Sequence, residues 1–236
     1  MYWRYRRLIE CLVAPCLAAA LAASPASGET TRIGEAVVIQ REVLRVAASA
    51  TNQINVGDGV LRNETVRTGT ESAARLVMID STNLSLGPNA SLTLDRTVFN
   101  DEHSYRDIAI RLATGAFRFV TGHSEKTAYK ITTQLATIGV RGTILDILNQ
   151  RGQTMVVLQE GASQVCTLSF QCLQLTQPGD TAIITATGNG RATIKKTSTP
   201  SWTFAATCAS AAGLCAVNDF ADNAPGVEYT GILCGR

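Results

Sequence analysis

The sequence is poor in the residue types on which most catalytic and metal sites depend. It has only two histidines, His103 and His123, and its seven cysteines form no Cys-x-x-Cys pair. Structural zinc is usually held by about four such ligands at short spacings, so no metal centre is predicted. The chain also lacks a Gly-x-Ser-x-Gly nucleophile motif and a glycine-rich phosphate loop with lysine. The residues therefore predict no cofactor and indicate no active site.

Charge is also scarce. Charged residues make up 17% of the chain and apolar residues 45%, which favours a domain with a buried core over a disordered chain. The formal net charge of +2 resides in residues 1–28, because the remainder has equal numbers of basic and acidic side chains. A neutral domain lacks the electrostatic footprint expected of a protein that binds nucleic acid or an anionic membrane surface.

Residues 1–28 have the features of a secretory signal peptide. A basic segment, Met1 to Arg7, precedes an apolar run from Leu12 to Ala23, and small residues follow up to Gly28. The run is shorter than the roughly 20 residues that span a bilayer. We therefore predict a periplasmic or secreted protein with no membrane span after signal cleavage; an uncleaved anchor is the alternative.

Export would place the remaining five cysteines in an oxidising compartment, where disulfides are expected. Cys166 and Cys172 are close enough in sequence to close a small loop that staples a hairpin, and Cys208 and Cys215 could close a similar one. Cys234 is then left over, either free or paired elsewhere.

Residues 33–187 read as a series of short strands with turn signals every 8–12 residues, a pattern typical of an all-β sandwich, barrel or solenoid. Strict alternation predicts which apolar side chains share one face of a strand. The clearest sets are Leu84 with Leu86, Leu92 with Leu94, and Ile108 with Ile110 and Leu112. Turns are expected at Thr114-Gly115 and at Glu160-Gly161, because glycine permits the backbone angles of tight turns.

The composition changes at Gly188. Residues 188–236 are rich in alanine, serine and glycine, and Lys195 to Pro200 reads as loop or linker. We expect this tail to dock on the β domain through apolar side chains such as Trp202 and Phe204, with at most one short helix.

Arg141 has the most unusual setting in the sequence. It lies in an apolar, β-branched run, Ala136 to Ile147, between Gly139 and Gly142. A buried guanidinium needs acceptors, so the first interpretation is a structural arginine held by a carboxylate or by carbonyls. Replacement by alanine would then destabilise the fold. The alternative is that Arg141 contacts an anionic ligand or partner.

An ordered series of short motifs resembles the FecR domain, an all-β periplasmic domain. The most specific is Thr137-Ile138-Gly139-Val140-Arg141-Gly142-Thr143. The others are Val56-Gly57-Asp58, Thr68-Gly69, Ser72–Ile79, Asn83-Leu84-Ser85-Leu86-Gly87-Pro88-Asn89-Ala90, Gly115-Ala116-Phe117-Arg118 and Leu158-Gln159-Glu160-Gly161.

The resemblance carries an expected role. In the regulator that defines this family, the domain passes a signal from an outer-membrane receptor to a sigma factor. Only eleven residues precede the apolar run here, so the cytoplasmic and membrane-spanning parts are expected to be missing. The predicted function is a non-enzymatic binding or sensing module of the bacterial envelope, with another envelope protein or a glycan as its partner. An envelope enzyme with an unrecognised carboxylate site and a structural envelope protein are the alternatives.

Overall fold

The computed structural model describes residues 31–47, 50–101, 104–188 and 190–210, and most of them belong to β-strands. The elements, in chain order, are β1 (Arg32–Gln40), β2 (Val43–Val46), β3 (Thr51–Gln53), β4 (Gly59–Leu61), β5 (Thr65–Thr68), β6 (Ala73–Met78), β7 (Asn83–Leu86), β8 (Ser91–Asp101), β9 (Ser104–Val120), β10 (Tyr129–Thr132), β11 (Ala136–Gln150), β12 (Gln153–Thr167), β13 (Cys172–Leu175), β14 (Thr181–Gly188), β15 (Arg191–Thr197) and α1 (Phe204–Ser210). The all-β prediction is confirmed. The predicted signal peptide, His103, Cys215 and Cys234 lie outside the described residues.

The strands form one hydrogen-bonded network that folds into two facing layers. Layer A runs in the order β15-β14-β12-β11-β9-β7-β6-β1-β4, and layer B runs β13-β12-β11-β10-β9-β8-β5-β2-β3. Strands β9, β11 and β12 belong to both layers, one half in each. The paired strands of the described chain are antiparallel except for β9 and β10, which run parallel.

Glycines mark the points at which the long strands change layer. In β9 the change comes at Gly115, whose φ is +108°, and in β12 it comes at Gly161, whose φ is +83°. A Cβ at Gly161 would lie 1.9 Å from the carbonyl oxygen of Gly142 on β11. Residues with a side chain rarely adopt such backbone angles, and the close approach of the β11 and β12 backbones leaves no room for a side chain at Gly161.

The two turns predicted at these glycines are therefore wrong in kind but right in place. At Gly115 and at Gly161 the chain bends and continues as the same strand, instead of reversing into a hairpin. A glycine in a strand marks a bulge or bend as readily as a turn, and the sequence pattern alone does not distinguish them.

The core lies between the layers and follows the predicted alternation. The predicted sets on β7, β8 and β9 are all buried: Leu84, Leu86, Leu92, Leu94, Ile108, Ile110 and Leu112. The layers meet through aromatic contact as well, since the rings of Phe119 in layer A and Tyr129 in layer B pack edge to face at 5.5 Å. Each fully buried aliphatic or aromatic side chain contributes about 1.5–3 kcal/mol.

Residues Arg191–Thr197, which include part of the predicted linker, form an edge strand, β15. The chain then returns across the outer face of layer A, where Trp202 and Phe204 pack against it. Phe204 is only 1% exposed and packs with Ala116, Leu148 and Trp202. The helix α1 follows directly. The outer face of layer A therefore has a cover, whereas Arg141 lies on the outer face of layer B.

Candidate functional site

Arg141 is exposed, which corrects the expectation of a buried structural arginine. Its neighbours Ile138 and Val140 point into the core, so Arg141 projects from the outer face of layer B. Among the described residues its guanidinium has no hydrogen-bond or ion-pair partner. The strand predicted around it is present as β11, but the acceptors that would clamp the side chain are not.

A small exposed face surrounds Arg141. Gly139 pairs directly with Lys130 on β10 and with Gln164 on β12, and both of these side chains are exposed. A Cβ at Gly139 would meet only the carbonyl oxygen of Gln164, at 3.8 Å. Gly139 thus leaves a stretch of backbone without a side chain, which is bordered by the amide of Gln164 and by the cationic side chains of Lys130 and Arg141. We name Lys130, Gly139, Arg141 and Gln164 the basic face.

The arginine held by a buried carboxylate is Arg118, on the opposite layer, and its side chain is largely buried. Arg118 and Asp146 are direct cross-strand partners on β9 and β11. The guanidinium donates from Nε to Asp146 Oδ1 at 2.7 Å and from Nη2 to Oδ2 at 3.0 Å. Such a two-pronged geometry matches the planar donors of arginine to a carboxylate.

Asp146 ties this pair to the segment that covers layer A. Its carboxylate is fully buried, and Oδ2 also accepts hydrogen bonds from Gln159 Nε2 at 3.0 Å and from the backbone N–H of Phe204 at 2.9 Å. The Arg118 guanidinium lies 5.6 Å from the centre of the Phe204 ring. A cation over an aromatic face is attracted to it. Sequence reasoning missed this cluster, although Arg118 stands in one of the family-like motifs.

A shallow cleft of about 330 Å³ opens where β11 and β12 change layer. The loop after β9 forms one wall, held to β11 because Thr143 N donates to Thr121 Oγ1 at 2.9 Å and Thr121 N donates to Thr143 O at 3.1 Å. Lys126 and Glu160 line the cleft, and Glu160 is the only carboxylate among its lining residues. The residues that line the cleft therefore do not provide the pair of carboxylates that glycoside hydrolysis requires.

Asp80 anchors the other end of the same loop. Its buried carboxylate accepts hydrogen bonds from Ser124 Oγ at 2.7 Å, from the Thr82 N–H at 3.0 Å, and from the Tyr129 hydroxyl. Burial, with the hydrogen bond to Asp80, raises the pKa of Tyr129 to about 12. His123, exposed in this loop, bonds through Nε2 to Ser81 Oγ at 3.0 Å. These contacts hold the turn between β6 and β7 against the loop that follows β9.

One predicted disulfide is present: Cys166 and Cys172 are bonded and close the β12–β13 hairpin. Cys208 lies in α1, and its predicted partner Cys215 lies outside the described residues, as does Cys234. Within the described ranges, no group of three or more histidine, cysteine or acidic side chains could hold a metal ion. No helix in that part of the chain has the length and apolar content of a membrane span.

The residues from β5 to β12 match a known family model. The family model described as FecR protein matches residues 64–163. Residues 64–163 are therefore similar to the FecR domain. The matched residues include the Arg118–Asp146 pair, the cleft, and Lys130, Gly139 and Arg141 of the basic face. They lie inside the range 33–187 predicted for the β domain.

Two solved structures are similar in fold. Both are crystal structures of a candidate anti-sigma factor from Parabacteroides distasonis, each 16% identical in sequence, with TM-scores of 0.46 and 0.44. The alignment covers 56% of this chain, which spans 58% of the length of each of those proteins. At this similarity they carry no information on what the chain binds. No curated protein sequence matches the chain.

Proposed function

We propose that the chain is an exported, non-enzymatic binding or sensing module of the bacterial envelope. Its FecR domain would recognise an acidic group of another envelope protein or of a glycan through the basic face. The observation that carries the proposal is the exposed, unclamped Arg141 in the segment that most strongly resembles the family.

The chemistry of the basic face supports an anionic partner. Arg141 and Lys130 lie on the same side of adjacent strands, and Gly139 places no side chain between them. A carboxylate could therefore approach the β11 backbone while it contacts both cations. Arginine suits this role because its planar guanidinium binds carboxylates in a two-pronged manner.

The signal-like residues 1–28 support an envelope location for this module. The Cys166–Cys172 disulfide agrees with it, because disulfides persist in oxidising compartments such as the periplasm. FecR domains are typically periplasmic in FecR-type proteins, and the family match therefore favours the same compartment.

The proposal can be tested by capture of partners from envelope extract with the oxidised chain. We expect the double variant Arg141→Gln/Lys130→Gln to retain its melting temperature and to capture less partner than the wild type. Added salt should likewise reduce capture by the wild type, because it screens contacts between exposed charges. The matched control is Lys195→Gln, which removes an exposed lysine from β15, the edge strand of layer A. Equal capture by wild type and the double variant would rule out the basic face.

The same preparation addresses the function class. Measured turnover of a cell-wall substrate, together with capture of no partner, would overturn the proposal in favour of an envelope enzyme. A saturable, salt-sensitive partner without turnover would support it.

A further inference from the structure

We propose that the disulfide-closed tip of the β12–β13 hairpin and the open edge of β13 form a docking site for an extended segment of another protein, which adds to layer B as a strand. This inference names the partner class for the binding function proposed above and rests on it. The site comprises Leu168, Phe170 and residues Cys172–Leu175 of β13.

The hairpin tip holds two of the three large hydrophobic side chains that are exposed in the described chain. Leu168 and Phe170 lie in the four-residue connection between β12 and β13, and the third, Val56, lies elsewhere. Phe170 is 89% exposed, and its φ of +62° is a conformation that bulky residues rarely adopt. The left-handed backbone at Phe170 belongs to the hairpin turn, in which its N–H donates to the Thr167 carbonyl at 3.0 Å. The exposure of the ring, by contrast, has no structural benefit in the isolated chain and favours a docking role.

The geometry of the disulfide shows which way the edge of β13 faces. Cys166 and Cys172 are cross-strand partners with their Cα atoms 4.0 Å apart, the short spacing of a pair without mutual backbone hydrogen bonds. The neighbouring pair is bonded, since the Thr167 N–H donates to the Gln171 carbonyl at 2.9 Å. The N–H and C=O of Cys172 therefore point away from β12, and those of Gln174 do so by alternation.

The hairpin itself supplies no charged side chain to protect this edge against pairing. Exposed edge strands are commonly guarded by charged side chains, especially lysine. The edge strand of layer A, β15, carries Arg191, Lys195 and Lys196, whereas residues 162–179 contain no charged side chain. Lys196 from β15 reaches one group of the edge, since its Nζ donates to the Gln174 carbonyl at 3.1 Å. The rest of the edge remains available to a partner.

The chemistry of the site selects a protein strand over a lipid surface. Main-chain hydrogen bonds to Cys172 and Gln174 would supply affinity, and apolar side chains of the segment would cover Leu168 and Phe170. An anionic membrane would require cations at the tip, and residues 162–179 have none. The site is continuous with the basic face, because Gln174 pairs with Gln164.

The experiment uses the full oxidised chain and synthetic peptides of alternating valine and threonine flanked by serines. Strand addition predicts that a peptide binds and slows hydrogen exchange at the amides of Cys172 and Gln174. Phe170→Ser should lower the affinity at least about tenfold, as expected for an aromatic anchor. Val56→Ser, which removes the third exposed hydrophobic at the opposite end of the fold, should leave it unchanged.

A second peptide, N-methylated at alternate residues, removes the hydrogen bonds while the side chains remain, and its binding should be lost. Equal binding by the methylated peptide, no binding by either, or protection at other amides would overturn the proposal. Binding of phosphatidylcholine or phosphatidylglycerol vesicles that depends on Phe170 would overturn it in favour of a membrane. Arg141→Gln/Lys130→Gln should bind these uncharged peptides normally, so a failure here leaves the test of the basic face separate.

Discussion

Removal of Arg118 should destabilise this fold more than removal of any exposed arginine. In Arg118→Met, the Asp146 carboxylate stays fully buried and keeps only the hydrogen bonds from Gln159 and the Phe204 backbone. The methionine retains the apolar stem but supplies no charge. A buried carboxylate that loses its cationic partner costs about 3–5 kcal/mol of unfolding free energy.

That loss should lower the melting temperature by roughly 6–20 °C for a domain of this size. It can be measured by urea denaturation of the wild type and of Arg118→Met, Asp146→Leu and the double variant. Because two apolar side chains leave no unpaired charge, the double variant should recover much of the stability lost in either single variant. The Phe204 amide should also exchange faster in Asp146→Leu, since it loses its acceptor.

Arg141→Ala is the matched control. Arg141 also lies in one of the family-like motifs, on β11, but its side chain is exposed. Its unfolding free energy should stay within about 0.5 kcal/mol of wild type, as is usual for surface substitutions. A loss below about 1 kcal/mol in Arg118→Met, or a large loss in Arg141→Ala, would refute the assignment of the two arginines.

Two further predictions concern the bend of β12 and the Asp80 cluster. Gly161→Ala should cost at least about 3 kcal/mol in chemical denaturation, because the new methyl group meets the Gly142 carbonyl and φ is positive. Gly152→Ala, with φ +79° and open space, should cost about 1 kcal/mol; similar losses would contradict the steric account. Tyr129 has a folded pKa raised to about 12, above about 10 when unfolded, so its contribution to stability is full below about pH 10 and lost as the pH rises towards 12. Tyrosinate absorbance and denaturation should show this dependence in wild type but not in Tyr129→Phe; ionisation near pH 10 without loss of stability would oppose it.

Much of the layer architecture could be predicted from alternation alone. Leu84 and Leu86 are separated by one residue, as are Leu92 and Leu94, and all four point into the core because side chains alternate along a strand. The same rule could not reveal that β9, β11 and β12 each serve two layers. Whether a glycine reverses a strand or bends it depends on the partner backbone, such as Gly142 opposite Gly161.

The two arginines show the limit more clearly. Arg118 lies between the inward-pointing Phe117 and Phe119, and Arg141 follows the inward-pointing Val140, so both arginines project from an outer face. Arg118 becomes largely buried because Phe204, far along the chain, covers layer A above it. Local periodicity specifies the face of a strand but not whether a distant segment covers that face. The interpretation of Arg141 as a clamp was wrong for this reason.

Edge strands were similarly hard to predict. The lysines of β15 lower its apolar content, so the segment resembled a linker, yet charge is what an exposed edge strand commonly carries. The Cys166–Cys172 disulfide was predictable from the short spacing of the two cysteines and from the signal-like residues 1–28, which predict an oxidising compartment.

The measurement that tests the central claim most directly is the affinity of the captured envelope partner for Arg141→Gln/Lys130→Gln, determined by calorimetry at low and high salt. Two exposed ionic contacts of about 0.2–1 kcal/mol each predict an affinity loss of about two- to thirtyfold at low salt, smaller at high salt, with an unchanged melting temperature. An unchanged affinity at both salt concentrations, or a loss explained by unfolding of the variant, would contradict the account.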